Sequence, residues 1–318
     1  MAQKRTMYEI LCEHCGQKTL KRVKHQRYCD HRCHRDHLMS PSFAPRFFEG
    51  RSPAVAYWAG FIIGDGNISR PIVGSTTLTI AVHPRDKAHL DTFRDTIGAN
   101  HCKIADHHRA DGQEIRGLAI SHPNLRNGLE MWGVIPNKTY DLRDIPPMWS
   151  EPEIAPHMMR GLFDADGHIG IKHDVNGNIR GGRVSICGNP WVMEWVADQF
   201  VNLGFYPTRR DINRHLLSDG SSYCTRVISL HRHLDVIRFI PWCGYQNVDL
   251  QSLERKQTSA MVIYDWLTER MAIRRCPVCG TMFTPSRSTQ IYCQLKCTSM
   301  QSARMYRQRQ RPSQMVTV

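Results

Sequence analysis

The sequence predicts an α+β protein in which two similar central repeats lie between two small cysteine-rich modules. A stretch that ends in Asp-Gly and carries small residues four positions apart occurs twice, at 59–66 and at 160–167. A four-cysteine pattern of identical spacing also occurs twice, near the two ends of the 318-residue chain. Between these landmarks, strand-like alternation of polar and apolar residues is interrupted by helical spacing.

Each Asp-Gly stretch is predicted to form a helix that packs closely on the other one. Positions four apart lie on one face of a helix, and small residues there allow two helix backbones to approach. These small residues are Gly60, Gly64, Gly161 and Ala165. A Gly directly after Asp indicates the end of a helix, so Asp65 and Asp166 are expected at the two C-terminal ends.

The two carboxylates are expected to need a cation. A negative charge at the C-terminal end of a helix is disfavoured by about 0.3–1 kcal/mol, and bringing Asp65 close to Asp166 adds repulsion. A divalent metal ion between them would offset both effects. The alternative is two buried helices whose Asp residues only begin turns, which explains one such stretch more easily than two.

The stretches 58–66 (WAGFIIGDG) and 159–167 (MRGLFDADG) resemble the two motifs of the LAGLIDADG homing endonucleases. The resemblance covers about residues 54–256. It implies a single-chain, Mg²⁺-dependent enzyme that cuts both strands of a specific DNA site. It further implies two pseudo-symmetric αββαββα repeats, whose strands form a saddle that lies in the major groove.

The resemblance also implies the residues of the active centre, in which Asp65 and Asp166 are the catalytic acids. The residues expected around Mg²⁺ are Asp65, Asp166, Gly64 and Ala165. Ile63 departs from the motif, because the second copy has Asp164 at that position. The position is not the metal-bearing one, so the departure carries little weight.

A lysine is expected near the acids. In related single-chain enzymes, a Lys in a Lys-Thr setting shortly before the second motif lies close to the active centre, which implies that Lys138 stabilises charge on the phosphate. Aligning 138–142 with 246–250 places Gln246, also a candidate catalytic residue, where a second Lys is expected. Equal cleavage chemistry at the two sites is therefore in doubt, and Lys256 or Arg226 could compensate.

The order of elements expected in each repeat is α-β-β-α-β-β-α. In the first repeat the sequence predicts the helix that ends at Asp65, strands at 76–83, 101–107 and 114–121, and helices at 85–97 and 124–132. In the second it predicts the helix that ends at Asp166, strands at 168–173, 183–187, 207–215 and 224–231, and helices at 190–203 and from 234. A further helix is expected between 250 and 275.

Outward-facing side chains on the strands are the candidates for contact with DNA, since Arg, Lys, Asn and Gln can make bidentate contacts with base edges. In the first repeat they are Arg70, Thr77, Thr79, His83, Lys103, His107 and Arg116. In the second they are Lys172, Arg183, Arg209, Arg210, Asn213, Arg226 and His231. For each of them, an ordinary solvated strand residue is the alternative.

The cysteine patterns predict two copies of one structural zinc module. The first set is Cys12, Cys15, Cys29 and Cys33, and the second is Cys276, Cys279, Cys293 and Cys297. Both read C-x2-C-x13-C-x3-C, a spacing that lets thiolates on two tight turns meet a zinc ion tetrahedrally. Disulfides explain the pattern less well in a chain with no export signal. The modules resemble small treble-clef-like fingers appended to phage and mobile-element nucleases.

We divide the chain into six segments. They are an N-terminal zinc module (1–40), a linker (41–53), the first repeat (54–150), the second repeat (151–270), a C-terminal zinc module (271–300) and a basic tail (301–318). Arg46 and Arg51 make the linker a candidate arm that follows the DNA backbone. The tail is expected to be disordered without DNA.

The net charge of +13 lies in the flanks of the chain. Residues 1–40 contain nine Lys/Arg and four Asp/Glu, a balance of +5, and residues 271–318 contain eight Lys/Arg and no acid, a balance of +8. Residues 41–270 therefore balance to zero. Basic flanks beside a neutral body favour a polyanionic partner that is gripped by the ends.

The sequence also limits the setting in which the protein works. No apolar run reaches the roughly 18 residues that span a bilayer, and no signal-peptide pattern is present. We therefore expect an intracellular protein, in the cytoplasm of a bacterial or phage-infected cell rather than in an organelle. It should act on double-stranded DNA as a monomer with internal pseudo-two-fold symmetry.

Three other functions use similar features. An intron maturase would bind RNA on the same scaffold, and cleavage of duplex DNA would distinguish it. A non-catalytic DNA-binding regulator is expected to lack one or both acids, whereas Asp65 and Asp166 are both present. An intein is disfavoured because the sequence ends without His-Asn and begins with no splicing domain.

Overall fold

The computed structural model describes residues 7–40, 42–69, 76–109, 111–216, 222–287 and 289–310. Its helices are α1 (His31–Met39), α2 (Pro53–Asp65), α3 (Lys87–Thr96), α4 (Leu125–Met131), α5 (Lys138–Asp141), α6 (Ala155–Asp166), α7 (Pro190–Asn202), α8 (His233–Trp242), α9 (Glu254–Met271) and α10 (Leu295–Gln310). Its strands are β1 (Tyr8–Leu11), β2 (Lys18–Lys21), β3 (Gly66–Ile68), β4 (Thr76–Val82), β5 (Ile104–His108), β6 (Glu114–His122), β7 (Gly167–His173), β8 (Ile179–Gly188), β9 (Thr208–Leu216), β10 (Ser222–Leu230), β11 (Arg274–Arg275) and β12 (Met282–Phe283). The mixed helix and strand content agrees with the predicted class.

Two four-stranded antiparallel sheets occupy the centre of the molecule. Their strand orders are β3-β4-β6-β5 and β7-β8-β10-β9, so corresponding strands follow each other in the same order in both sheets. Helix α2 runs directly into β3, and α6 runs directly into β7. Each of these helices therefore leads into the edge strand of its own sheet.

Several elements differ from the sequence prediction. Residues 301–310 of the tail, which the sequence predicts to be disordered, form the C-terminal part of helix α10, and the short helix α5 is not predicted. Strand β3 is the one strand of the expected order that the sequence does not locate in the first repeat, because three residues are too few for alternation to be recognised. Helix α9 is shorter than the predicted 250–275 helix, since it begins at Glu254 and ends at Met271. The preceding residue is not helical, and its extended backbone lets the Leu253 N–H donate to the buried Asp164 carboxylate at 2.7 Å.

The segment predicted as a linker packs against the first repeat. Phe43 and Phe48 are 3% and 1% exposed and belong to the central hydrophobic core. The Trp132 indole N–H donates to the Phe48 carbonyl oxygen at 2.9 Å. Arg46 is paired with Glu49, and Arg51 with Glu151. The two arginines are therefore engaged with acidic neighbours, which does not fit a free arm.

The two cysteine modules have the same ββα order. The first contains β1, β2 and α1, and the second contains β11, β12 and α10. Gly16 and Gly280 follow the second cysteine of each module with φ of 70° and 75°, a left-handed conformation that favours glycine. Their N–H groups donate to the carbonyls of Cys12 and Cys276 at 2.8 and 2.9 Å. Among all the residues placed here, no helix is both long and apolar enough to cross a membrane.

Candidate active site and nucleic-acid interface

Helices α2 and α6 are in backbone contact, as the small residues predict. A Cβ atom placed on Gly60 would lie 2.3 Å from the Met158 carbonyl oxygen, and one on Gly161 would lie 2.0 Å from the Tyr57 carbonyl oxygen. At the C-terminal end of the pair, a Cβ on Gly64 would lie 2.2 Å from the Ala165 Cβ and 2.9 Å from an Asp166 carboxylate oxygen. Only glycine fits these positions. The close contact between the helices places the Asp166 carboxylate beside the C-terminal end of α2.

Both helices end at their aspartates, but the following glycines act differently from the expected stop signal. Gly66 and Gly167 have φ of −93° and −81°, which any residue can adopt. They are required because space is lacking: a Cβ on Gly66 would lie 2.5 Å from the Ile62 side chain, and one on Gly167 would lie 2.3 Å from the Phe163 ring. The chain can therefore enter β3 and β7 without a break.

The environment of the two acids opposes negative charge. Burial raises the pKa of Asp65 to about 6, and the neighbouring Asp166 carboxylate contributes to this rise. The pKa of Asp166 is also raised, because the surrounding protein atoms desolvate it although solvent reaches the residue. Lys138 and Lys256 act in the opposite direction on both carboxylates. The positive charge of Lys138 and Lys256 does not fully offset the burial and repulsion of the acid pair. A bound cation would therefore stabilise its charged form.

Lys138 lies at the end of α2, near both acids. Its ammonium group donates to the carbonyl oxygen of Gly66, and desolvation lowers its pKa although Asp166 and Asp65 favour the charged form. The segment is fixed by Asn189, which caps α7 in the second repeat. The Asn189 amide donates to the carbonyls of Lys138, Thr139 and Leu142 at 3.2, 3.1 and 3.0 Å. Sequence reasoning missed Asn189, because nothing local indicates this contact between distant segments.

Lys256 lies at the corresponding end of α6, and it comes from α9. It is 6% exposed. Its ammonium group donates to the carbonyls of Phe163, Asp164 and Ala165 at 2.6, 2.7 and 3.2 Å. Burial lowers its pKa to about 8. The Phe163 carbonyl also accepts from the Gly167 N–H, whereas the Asp164 and Ala165 carbonyls belong to the last turn, which lacks partners within the helix. The buried ammonium group therefore stabilises the negative end of α6.

Gln246 is not placed with these groups. It lies exposed in the turn after α8. In the described part of the chain, no hydrogen bond joins it to Asp65 or Asp166. Arg226 is likewise occupied elsewhere, by Glu194 and Asp211. Of the two residues expected to compensate for Gln246, only Lys256 is beside the acids.

A buried polar network, which the sequence does not indicate, connects α2, α6 and the segment before α9. Asp164 is 1% exposed and accepts hydrogen bonds from the Tyr57 hydroxyl at 2.7 Å and from the Tyr245 hydroxyl at 2.8 Å, in addition to the Leu253 N–H. Arg160, also 1% exposed, donates to the carbonyls of Gln251 and Cys243. Each contact joins distant segments, and the network ties α6 to its surroundings immediately before Asp166.

One face of each sheet packs against helices, and we call the other its open face. The strand register places on the open face of the second sheet His168, Lys172, Arg183, Ser185, Thr208, Arg210, Val227 and Ser229. His231 follows β10 and lines the same shallow depression as Arg183 and Arg210. Three cationic DNA-contact candidates therefore lie on this open face, namely Lys172, Arg183 and Arg210, and the last two line one depression.

The open face of the first sheet is different. Its strand residues include Asn67, Thr77, Thr79, Ala105, His107, Ala119 and Ser121. Among the described strand residues of this face there is no Lys or Arg, and the exposed Lys103 precedes β5. His83 is exposed after β4, where its ring accepts a hydrogen bond from the Arg85 N–H. Arg70 and the side chain of Asn213 lie outside the described residues.

Three of the arginine candidates are on the helix-packed faces, which corrects the expectation that they point outward. Arg116 has the same side-chain direction as the buried Leu118 and is paired with Asp106 at 2.9 Å. Arg209 and Arg226 have the direction of the buried Ile228. Both pair with Glu194 on α7. The sequence alone could not reveal this, because direction depends on register.

The eight predicted cysteine ligands form two clusters. In the first, sulfur atoms lie 3.6 Å (Cys15–Cys29) and 3.3 Å (Cys29–Cys33) apart. In the second, they lie 3.4 Å (Cys279–Cys293) and 3.7 Å (Cys293–Cys297) apart. Thiolates about 2.3 Å from one tetrahedral zinc ion are about 3.8 Å from each other, whereas a disulfide requires about 2.05 Å. Both clusters fit a structural zinc site.

Comparison with known proteins gives limited matches. No family model matches the chain. The replication factor C small subunit of Methanocaldococcus jannaschii is 33% identical over 149 residues, which are 44% of this chain and 8% of that protein. A crystal structure of the LAGLIDADG homing endonuclease I-GzeII in complex with its DNA target gives a TM-score of 0.45 at 9% identity, covering 72% of this chain and 92% of the other. The chain thus spans a small part of its curated relative.

Proposed function

We propose that the protein is a metal-dependent endonuclease of the LAGLIDADG type, which cuts both strands of a specific DNA site. The observation that supports this most strongly is the position of Asp65 and Asp166 at the ends of two helices in backbone contact, where Asp166 helps to raise the pKa of Asp65. Two carboxylates at a shared centre suit the hydrolysis of two antiparallel strands. In this proposal the two repeats are related by pseudo-two-fold symmetry, and the protein acts as a monomer.

The acid pair would hold Mg²⁺ through the carboxylates of Asp65 and Asp166, assisted by the backbone at Gly64 and Ala165. Bound there, Mg²⁺ would activate water and neutralise the leaving oxygen. Lys138 would stabilise charge on a phosphate, and its half-buried position beside both acids supports this role. Lys256 holds the end of α6 and so positions Asp166. We assign no catalytic part to Gln246.

The duplex would lie against the two open faces, and the flanking modules would extend the contact. Lys172, Arg183 and Arg210 supply positive charge to the half-site of the second repeat. Zinc in each cysteine cluster would hold the flanking modules in shape. Their basic residues would add phosphate contacts, which raise affinity more than base discrimination.

Selective sequencing of cleaved ends tests the proposal. Zinc-loaded protein is incubated with a library of random duplex sites and Mg²⁺, and the released ends are sequenced. We expect ends cut on both strands at a recurring sequence, and no such ends with Asp65→Asn. The matched control is Asp249→Asn, which removes an exposed carboxylate and should cut normally.

Two outcomes would contradict the proposed endonuclease function. Duplex binding without cut ends would support a regulator, and preferential binding of structured RNA without DNA cleavage would support a maturase. Normal cutting by Asp65→Asn would remove that residue from the active centre.

A further inference from the structure

The N-terminal cysteine cluster meets the first repeat at a buried point. Cys33, the last cysteine of the cluster, and His122, the last residue of β6, are both 0% exposed. The Cys33 sulfur lies 3.5 Å from His122 Nε2. This separation fits an N–H···S hydrogen bond, provided that Nε2 carries the hydrogen.

A second hydrogen bond settles which ring nitrogen of His122 carries the hydrogen. The backbone N–H of Asn124 donates to His122 Nδ1 at 3.1 Å, so Nδ1 must present its lone pair. A neutral imidazole has one N–H group. That group is therefore Nε2–H, which faces the sulfur of Cys33.

We propose that His122 is an outer-sphere partner of the zinc ion in the N-terminal module. Its Nε2–H donates to the Cys33 thiolate that binds the metal, and so couples zinc retention to the docking of the module on β6. Four thiolates leave the site with more negative than positive charge, and a buried N–H donor offsets part of that excess. Outer-sphere partners of this kind typically change metal affinity by about 10–100-fold.

A neighbouring set of residues offers a different interpretation, in which His122 binds a metal directly. His14, Asp36 and His122 present ligand atoms within 4.8 Å of one another. Both nitrogens of His122 are already engaged, however, by Asn124 and Cys33. Only His14 and Asp36 would then remain as ligands, fewer than a zinc site uses.

The C-terminal module provides an internal comparison. Cys297 occupies the position that corresponds to Cys33, and the described residues of the central repeats provide it with no hydrogen-bond donor. Cys279 is exposed, and its sulfur contacts the Thr281 hydroxyl of its own module at 3.3 Å. We therefore expect the C-terminal site to lose zinc first and the N-terminal site to lose it slowly.

Zinc release from the full-length protein to a chromophoric chelator tests this proposal. We expect two zinc ions per chain and two release phases, of which the fast phase disappears in the double variant Cys276→Ser, Cys279→Ser. His122→Leu keeps the volume but removes the donor, so the slow phase should become about 10–100-fold faster. His122→Gln can place an amide N–H near the same sulfur and should restore most of the retention.

The fast phase serves as an internal control, because it should be the same in the wild type and in both His122 variants. The proposal is overturned if His122→Leu releases zinc as slowly as the wild type, or if His122→Leu and His122→Gln lose it equally fast. A content of three zinc ions per chain, reduced to two by His122→Leu, would also overturn it, since His122 would then be a direct ligand.

Discussion

At the level of single residues, Asp65 is held in a state that the fold itself disfavours. Its pKa is raised to about 6 by burial and by Asp166, from an ordinary value of 3.8. A raised pKa means that the folded state binds the proton more tightly than the unfolded state. Protonation of Asp65 therefore contributes fully to the free energy of unfolding below pH 3.8, and this contribution is lost as the pH rises through about 6.

Asp65→Asn should stabilise the Mg²⁺-free protein at pH 8, because the amide removes the disfavoured charge. We expect a gain of about 1–3 kcal/mol at pH 8 that decreases as the pH falls through about 6 and becomes small only below pH 3.8. Urea unfolding of the zinc-loaded protein, followed by tryptophan fluorescence between these pH values, measures it. Added Mg²⁺ should stabilise the wild type and not the variant. If the free energies of unfolding of variant and wild type do not differ, or differ equally at every pH, the fold does not disfavour the charged form of Asp65.

Local residue patterns predicted much of the candidate site, whereas its supports required the structure. Small residues four apart, and cysteines at a fixed spacing, are signals within one element, so the helix contact and both clusters followed from them. Asn189 and Lys256 reach the site through contacts with carbonyls that are 47 to 93 residues away in the chain. The spacing of residues within one helix or strand does not indicate such a contact, so the sequence does not predict the role of Asn189.

At the level of elements, strand register decides which arginines are free to meet a duplex. Alternation predicted most of the strands but not their pairing, and a shift of one residue turns a side chain to the other face. Arg183 and Arg210 lie on the open face of the second sheet, whereas Arg209 and Arg226 face α7. The same residue type therefore has two roles within a few positions of the sequence.

Substitutions on the two faces should separate these roles. Arg183→Ala and Arg210→Ala should each lower the salt dependence of duplex binding by about one phosphate contact. Arg209→Ala is the matched control, since its side chain pairs with Glu194 and Asp198 on α7 and should leave the salt slope unchanged. Fluorescence anisotropy titrations between about 50 and 200 mM salt provide the slopes. An equal loss of slope for Arg209→Ala and Arg210→Ala would contradict the assignment of faces.

At the level of the whole molecule, the net positive charge lies in the flanks of the sequence, whereas Asp65 and Asp166 lie in the central repeats. The C-terminal flank carries exposed Arg275, Arg287, Lys296 and Arg304. The open face of the first sheet is without Lys or Arg among its described strand residues. The flanks are therefore expected to add affinity to that supplied by Lys172, Arg183 and Arg210, whereas cutting depends on the centre.

Deletion of residues 272–318 should separate affinity from cutting. It keeps α9 with its buried Met271 and removes the C-terminal module. We expect weaker duplex binding and a flatter salt dependence, because phosphate contacts are lost, while the cut position is unchanged. Binding assays and end mapping on one selected duplex measure both. Full affinity of the truncated protein at about 0.2 M salt would exclude the flank from DNA binding.

The central claim is that Asp65 and Asp166 capture a divalent cation at the ends of α2 and α6. Mn²⁺ binding to the zinc-loaded protein on its selected duplex, measured by electron paramagnetic resonance, tests it most directly. We expect saturable binding that is lost in Asp65→Asn and in Asp166→Asn but kept in Asp249→Asn. Unchanged Mn²⁺ binding in either active-centre variant would contradict the claim.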